Sequence, residues 1–164
     1  MRYALILFLL IVSTQRGMGQ NYFQSGNKYA SFEVSKSPAI RGGYFFSDRS
    51  AINLGIILHV DGQQATTGFG LQLGFDRYTR FAVLTPFFGG GISYSINPNA
   101  FGGESYKGSQ VVLDGHWGIH LFVIKGLAIA GKLGAEIIFD SPKDRDSTVS
   151  FKTFSSGLEI RFFF

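Results

Sequence analysis

The groups in this chain most able to move a proton or hold a metal are three histidines, His59, His116 and His120, set among 11 acidic residues. His116 and His120 are four apart in a stretch of alternating apolar residues, so they share one face of a strand. At the strand rise they lie about 13 Å apart, too far for both to bind one ion directly. His59 can approach either of them only from across an interior. The expectation for all three is hydrogen bonding on an inward polar face, with no metal and no cofactor. His59 beside Asp61 is the one pair placed for acid–base chemistry. Gly89-Gly90-Gly91 lacks the Gly-Lys-Ser/Thr ending and following helix of a phosphate loop. Asp140 to Asp146 (DSPKDRD) carries three Asp without the alternate spacing of a calcium loop and reads as a solvated charged loop. No catalytic residue is expected.

The segments that must position these groups read as strands. Ile52, Leu54, Ile56, Leu58 and Val60 alternate with Asn53, Gly55 and His59, and Phe69, Leu71, Leu73 and Phe75 with Gly70, Gln72, Gly74 and Asp76. Val111, Leu113, Trp117, Ile119, Leu121 and Val123 oppose Asp114, His116 and His120. Leu127, Ile129, Leu133, Ile137 and Phe139 oppose Lys132 and Glu136. At the end of the chain Phe154, Leu158, Ile160, Phe162 and Phe164 share one parity, against Gly157, Glu159 and Arg161. Alternation held for about ten residues marks strands with one apolar and one polar face. Ile40 to Phe46 and Phe81 to Ile96 are less regular, and Lys28 to Val34 is the weakest. Together they make about eight strands.

The connections alternate in character. Ser47 to Ser50, Asp76 to Arg80 and Lys125-Gly126 are tight. Ser35 to Ser37, Asp61 to Ala65, Asn97 to Lys107 and Asp140 to Ser150 form the other set, whose last two members are long and rich in turn residues. Short turns on one rim and longer loops on the other are how a transmembrane barrel is connected. Charged residues make up 16% of the chain, too few to coat a soluble exterior, and aromatics another 16%. Past residue 12 no apolar run is long enough for a spanning helix. The expected fold is therefore all-β: a single up-and-down antiparallel transmembrane β-barrel with its apolar parity outward.

The N-terminus predicts export. Arg2 precedes the apolar core Ala4 to Val12, and Gly17 and Gly19 place small residues before Gln20, as a cleavable signal peptide requires. The expected division is a signal over residues 1–19 and one barrel domain over 20–164. The chain from Gln20 carries 13 basic and 11 acidic residues, with no Lys/Arg cluster that would track nucleic acid. It has no cysteine, hence no disulfide and no lipidated thiol.

The polar parity then faces a narrow lumen. Besides Asn53 it comprises Arg41, His59, Gln72, Asp114, His116, His120, Lys132, Glu136, Glu159 and Arg161. Eight strands leave an interior about filled by side chains, so opposite charges there must pair. Arg161 with Glu136, and Lys132 with Glu159, are the expected pairs.

In order along the chain, three motifs follow the signal sequence: Pro38 to Asp48 (PAIRGGYFFSD), Leu84 to Gly91 (LTPFFGGG) and the terminal Leu158 to Phe164 (LEIRFFF). Together they resemble the small outer-membrane β-barrels of Gram-negative bacteria, the OmpA/OmpX-like and porin-type families. The resemblance implies an outer-membrane location, lipid as surroundings, and Phe162 and Phe164 as part of the signal read by the barrel-assembly machinery. Some barrels of this size modify lipid A. The deacylases among them share a His-x-Ser element, which His59-Val60-Asp61, His116-Trp117-Gly118 and His120-Leu121-Phe122 do not match. The palmitoyltransferases carry an amphipathic helix before the barrel, and Gln20 to Asn27 is too short and polar for one. The expectation is a non-catalytic monomer with a structural or surface-interaction role. A narrow porin and a lipid A-modifying enzyme are the alternatives.

Overall fold

The computed structural model describes residues 22–34, 38–61, 66–79, 84–96, 108–143 and 146–164, with backbone alone at 59–61 and 66–67. The expected signal peptide lies outside them. Eight strands follow one another: β1 (Lys28–Val34), β2 (Ala39–Ser47), β3 (Ser50–Asp61), β4 (Thr66–Tyr78), β5 (Leu84–Ile96), β6 (Gly108–Ile124), β7 (Leu127–Pro142) and β8 (Thr148–Phe163). Each pairs antiparallel with the next, and β8 returns to β1 to close the barrel. The expected all-β, up-and-down, eight-stranded architecture is the observed one, including the weakly patterned β1.

The ladders define the stagger of the closure. Followed from Phe32 through Ile40, Ile56, Leu71, Tyr94, Val111 and Phe139, the register arrives at Val149 on β8. The direct partner of Phe32 on β8 is instead Ile160. Those two positions are eleven residues apart, one of them the bulged Phe154, which leaves a stagger of ten. Eight strands closed with that stagger tilt by roughly 40° to the barrel axis.

Side chains follow the pleat. Leu54, Leu71, Leu73, Trp117, Leu133, Ile137 and Phe162 are exposed on the outer wall, while Arg41, Asn53, Asp76, Glu159 and Arg161 are buried within. Phe154 departs from the expected alternation. It has φ 65°, in the left-handed region that a bulky residue rarely adopts, and the register slips beside it. Beyond this bulge Val149 and Phe151 face outward, and Lys152 lies opposite Glu136.

One boundary differs from expectation: Asp76 to Tyr78, expected in a turn, extends β4. The expected start of β5 at Phe81 lies outside the described residues. The ladders of β6, β7 and β8 also run on into the expected loop, pairing Gly108 with Pro142 and Asp140 with Thr148. Polar residues sustain a ladder there because backbone pairing does not depend on an apolar face.

Candidate functional site

The interior is organised in three tiers, and the lowest is aromatic. At the short-turn end Phe45, Tyr78, Phe87, Phe122 and Phe163 converge from five strands. Phe23, from the segment preceding β1, is inserted among them. Its ring centroid lies 4.5 Å from that of Tyr78 and 5.6 Å from those of Phe45, Phe122 and Phe163. The preceding segment is tied down by Gly26 N–H donating to the Phe45 carbonyl at 2.7 Å and Ser25 N–H donating to Asp48 Oδ1 at 3.1 Å. Among the described residues this end of the lumen is filled.

Large rings fit a narrow barrel because glycine stands opposite them. Tyr29 pairs with Gly43 across β1 and β2, and a Cβ on Gly43 would come within 2.1 Å of the Tyr29 ring. Phe87 pairs with Gly118 across β5 and β6, where a Cβ would lie 2.6 Å from its ring.

The middle tier is a chain of charges. Arg161 donates from Nε to Glu159 Oε1 at 2.8 Å and from Nη2 to Glu159 Oε2 at 3.0 Å and Asp76 Oδ2 at 2.9 Å. Its Nη1 donates to the Tyr78 hydroxyl, and its guanidinium lies 4.7 Å from the Tyr29 ring centroid. Arg41 donates from Nε to Gln72 Oε1 at 2.8 Å, pairs through Nη2 with Glu33, and reaches Glu159 at 3.5 Å. Lys132 Nζ donates to Glu33 Oε2 at 2.6 Å. On the other flank His116 is held between two carboxylates, with Nδ1 2.7 Å from Asp114 Oδ2 and Nε2 3.0 Å from Asp76 Oδ1. The path Asp114–His116–Asp76–Arg161–Glu159–Arg41–Glu33–Lys132 is unbroken. Buried charges persist only when paired and hydrogen-bonded in this way.

The upper tier is a polar vestibule of about 370 Å³, bounded below by Arg41, Asp114, His116 and Lys132. Higher up, Lys152 pairs with Glu136 at 3.3 Å and Gln110 Nε2 donates to Asp140 at 2.7 Å.

The structure brings Arg41, Gln72, Asp114, His116, Lys132, Glu159 and Arg161 into one layer, leaves Glu136 above it, and places Phe162 and Phe164 on the outer surface. Neither expected pair forms. Arg161 takes Glu159 and Asp76 in place of Glu136, and Lys132 takes Glu33 in place of Glu159. The register of β7 with β8 separates the first pair, since Glu136 faces Lys152 and Arg161 faces Ala128, eight residues away along β7. Lys132 faces Gly157, two positions from Glu159, and its ammonium is taken by Glu33 instead. His120 also departs from expectation. Neither ring nitrogen has a hydrogen-bond partner, and the imidazole packs edge-on against Phe87, with 4.5 Å between centroids. The side chain of His59 lies outside the described residues.

Asp76, Glu33 and Tyr78 complete the layer and were not among the residues assigned to it from sequence. Asp76 had a signal, since it shares the parity of Gln72 and Gly74, but it sits where a turn was expected. Chemically the layer is suited to bracing. Both nitrogens of His116 are engaged by carboxylates, so neither is free to take a proton from a substrate. Among the described residues no group of three or more His, Asp or Glu is placed to hold a metal ion.

No family model matches the chain, and no curated protein matches it. Among solved structures, the N-terminal β-barrel domain of Pseudomonas aeruginosa OprF is similar, with a TM-score of 0.53 at 13% identity. The match covers 84% of this chain and 96% of that one. At that identity the likeness is one of fold.

Proposed function

We propose that this chain is a non-catalytic, monomeric barrel of a bacterial outer membrane, exported by a cleaved signal peptide. Its role is structural or one of surface interaction, and its lumen is closed to solutes. One observation carries the reading: the barrel is inverted relative to a soluble protein. Leu133, Ile137 and Phe162 are 44%, 39% and 51% exposed, while Glu159 and Arg161 are 0% and 2% exposed. An exterior of that kind in water would be an aggregation surface, whereas in a bilayer it is solvated by acyl chains. Closure of the sheet leaves no unpaired edge around most of the wall, as hydrocarbon demands. The OprF likeness supports the same reading at the level of fold. The terminal Phe162 and Phe164 point outward, where the assembly machinery could meet them.

The test is to fold the chain into lipid vesicles and compare gel migration of boiled and unboiled samples, with protease protection of the strands. Heat-dependent migration and protected strands are expected. A chain that stays soluble and monomeric without lipid or detergent would remove the membrane assignment. In planar bilayers no sustained current is expected, because the aromatic floor and the charged layer both cross the lumen. Long-lived open-channel current would reinstate the porin alternative.

A further inference from the structure

Among the described residues the wall of the barrel is incomplete on one side. β1 ends at Val34 and β2 begins at Ala39. Beside them β8 continues from Leu158, its last partner on β1, up to Thr148, and among the described residues only β7 pairs with that stretch. On the other flank β3 continues past Ile57, which is paired with Ala39, as far as Asp61, with β4 as its ladder partner. Given the tilt, this leaves a notch about two strands wide and on the order of 10 Å deep. It lies at the height of the apolar belt, since Leu58, Phe69, Tyr94 and Phe151 at that level are exposed on the outer wall.

Free sheet edges are not tolerated against acyl chains unless they line a polar cavity or meet a hydrogen-bonding ligand. Here the vestibule lies directly behind the notch, for Ala39, Ile57, Phe154 and Gly157 border both. The charges on its wall are satisfied internally: Glu33 with Arg41 and Lys132, Glu136 with Lys152, and Asp114 with His116. A charged ligand would have to break one of these pairs. Gln72 holds Arg41 through Oε1 and Gln110 holds Asp140 through Nε2, so Gln72 Nε2, Gln110 Oε1 and the hydroxyls of Ser93 and Ser155 are the lining groups that would recognise an uncharged polar group. Phe154, 83% exposed at the lip of the notch, offers apolar surface to anything that emerges.

We infer that notch and vestibule together form a lateral binding site for a neutral, hydroxyl-bearing amphiphile, with its head in the vestibule and its acyl chain leaving through the notch past Phe154. This inference rests on the membrane reading above. A cavity of about 370 Å³ accommodates a head the size of glycerol or a hexose.

The experiment uses the exported chain folded in micelles of a zwitterionic, hydroxyl-free detergent. Monooleoylglycerol is added as probe and retained adducts are read by native mass spectrometry. A one-to-one adduct is expected, falling about fivefold or more in Ser155→Phe and Ser93→Phe, which fill the vestibule. It is expected unchanged in Leu73→Phe on the outer wall. Oleate, with the same tail and a charged head, is expected to bind about fivefold less. Heat-dependent migration is read on the same samples, so a chain that never folded is told apart from a folded one with an empty vestibule. A folded barrel without the adduct, equal adducts in both filled variants, or equal binding of oleate overturns the inference while leaving the membrane reading intact.

Discussion

Arg161 and Glu159 stand two residues apart on the inner face of β8 and meet through two parallel contacts, Nε to Oε1 at 2.8 Å and Nη2 to Oε2 at 3.0 Å. The strand period places both side chains inward, and the bidentate geometry satisfies both carboxylate oxygens at once. The pair is the centre from which the charged layer extends, towards Asp76 on β4 and Arg41 on β2.

Removing the anion should therefore be costly. Glu159→Ala leaves the buried Arg161 with Asp76 as its one carboxylate partner, and a loss of about 3–5 kcal/mol is expected. Urea unfolding of the barrel in vesicles measures it, and Glu159→Gln should recover part of the loss by keeping hydrogen bonds. A midpoint unchanged from the parent chain would mean that the layer does not support the fold.

Gly43 should tolerate no side chain. The Cβ of Gly43→Ala would meet the Tyr29 ring, whose hydroxyl donates to Asp76 at 3.4 Å, and the ring would have to move. A destabilisation of about 1–3 kcal/mol is expected from overpacking. The double variant with Tyr29→Ala should remove most of the penalty specific to Gly43, and additive losses would place the strain elsewhere.

The aromatic floor and the charged layer cross the lumen at separate levels. Phe23→Ala should cost about 3–5 kcal/mol by vacating a site packed on all sides by rings. It should nonetheless leave single-channel recordings flat, because Arg161 and its partners lie above. Channel openings in this variant would make Phe23 the sole barrier.

A charge on the outer wall discriminates lipid from water. Leu73 is 53% exposed in the middle of the apolar belt, and Leu73→Arg should destabilise the inserted barrel by about 2–4 kcal/mol. The same change on a soluble protein would be near neutral. Equal stability of the two chains in vesicles would contradict a lipid-facing wall.

The sequence by itself determined the class of fold and the sidedness of each wall. Strand periodicity is local, so Leu133 against Lys132, or Ile160 against Glu159, could be sorted onto opposite faces without knowing any neighbour, and the scarcity of charge in the chain said which face is the outer one. The glycines opposite Tyr29 and Phe87 were visible too, although their partners were not. What tertiary structure alone decided was height. A ten-residue stagger is a property of the closed ring and of no single hairpin, so which charges share a level could not be read along the chain. That is why Lys132 meets Glu33, far away in sequence, and Arg161 meets Asp76. Closure also decided that His120 lies among rings without a polar partner, and that, among the described residues, a short β1–β2 hairpin stands beside a long β8.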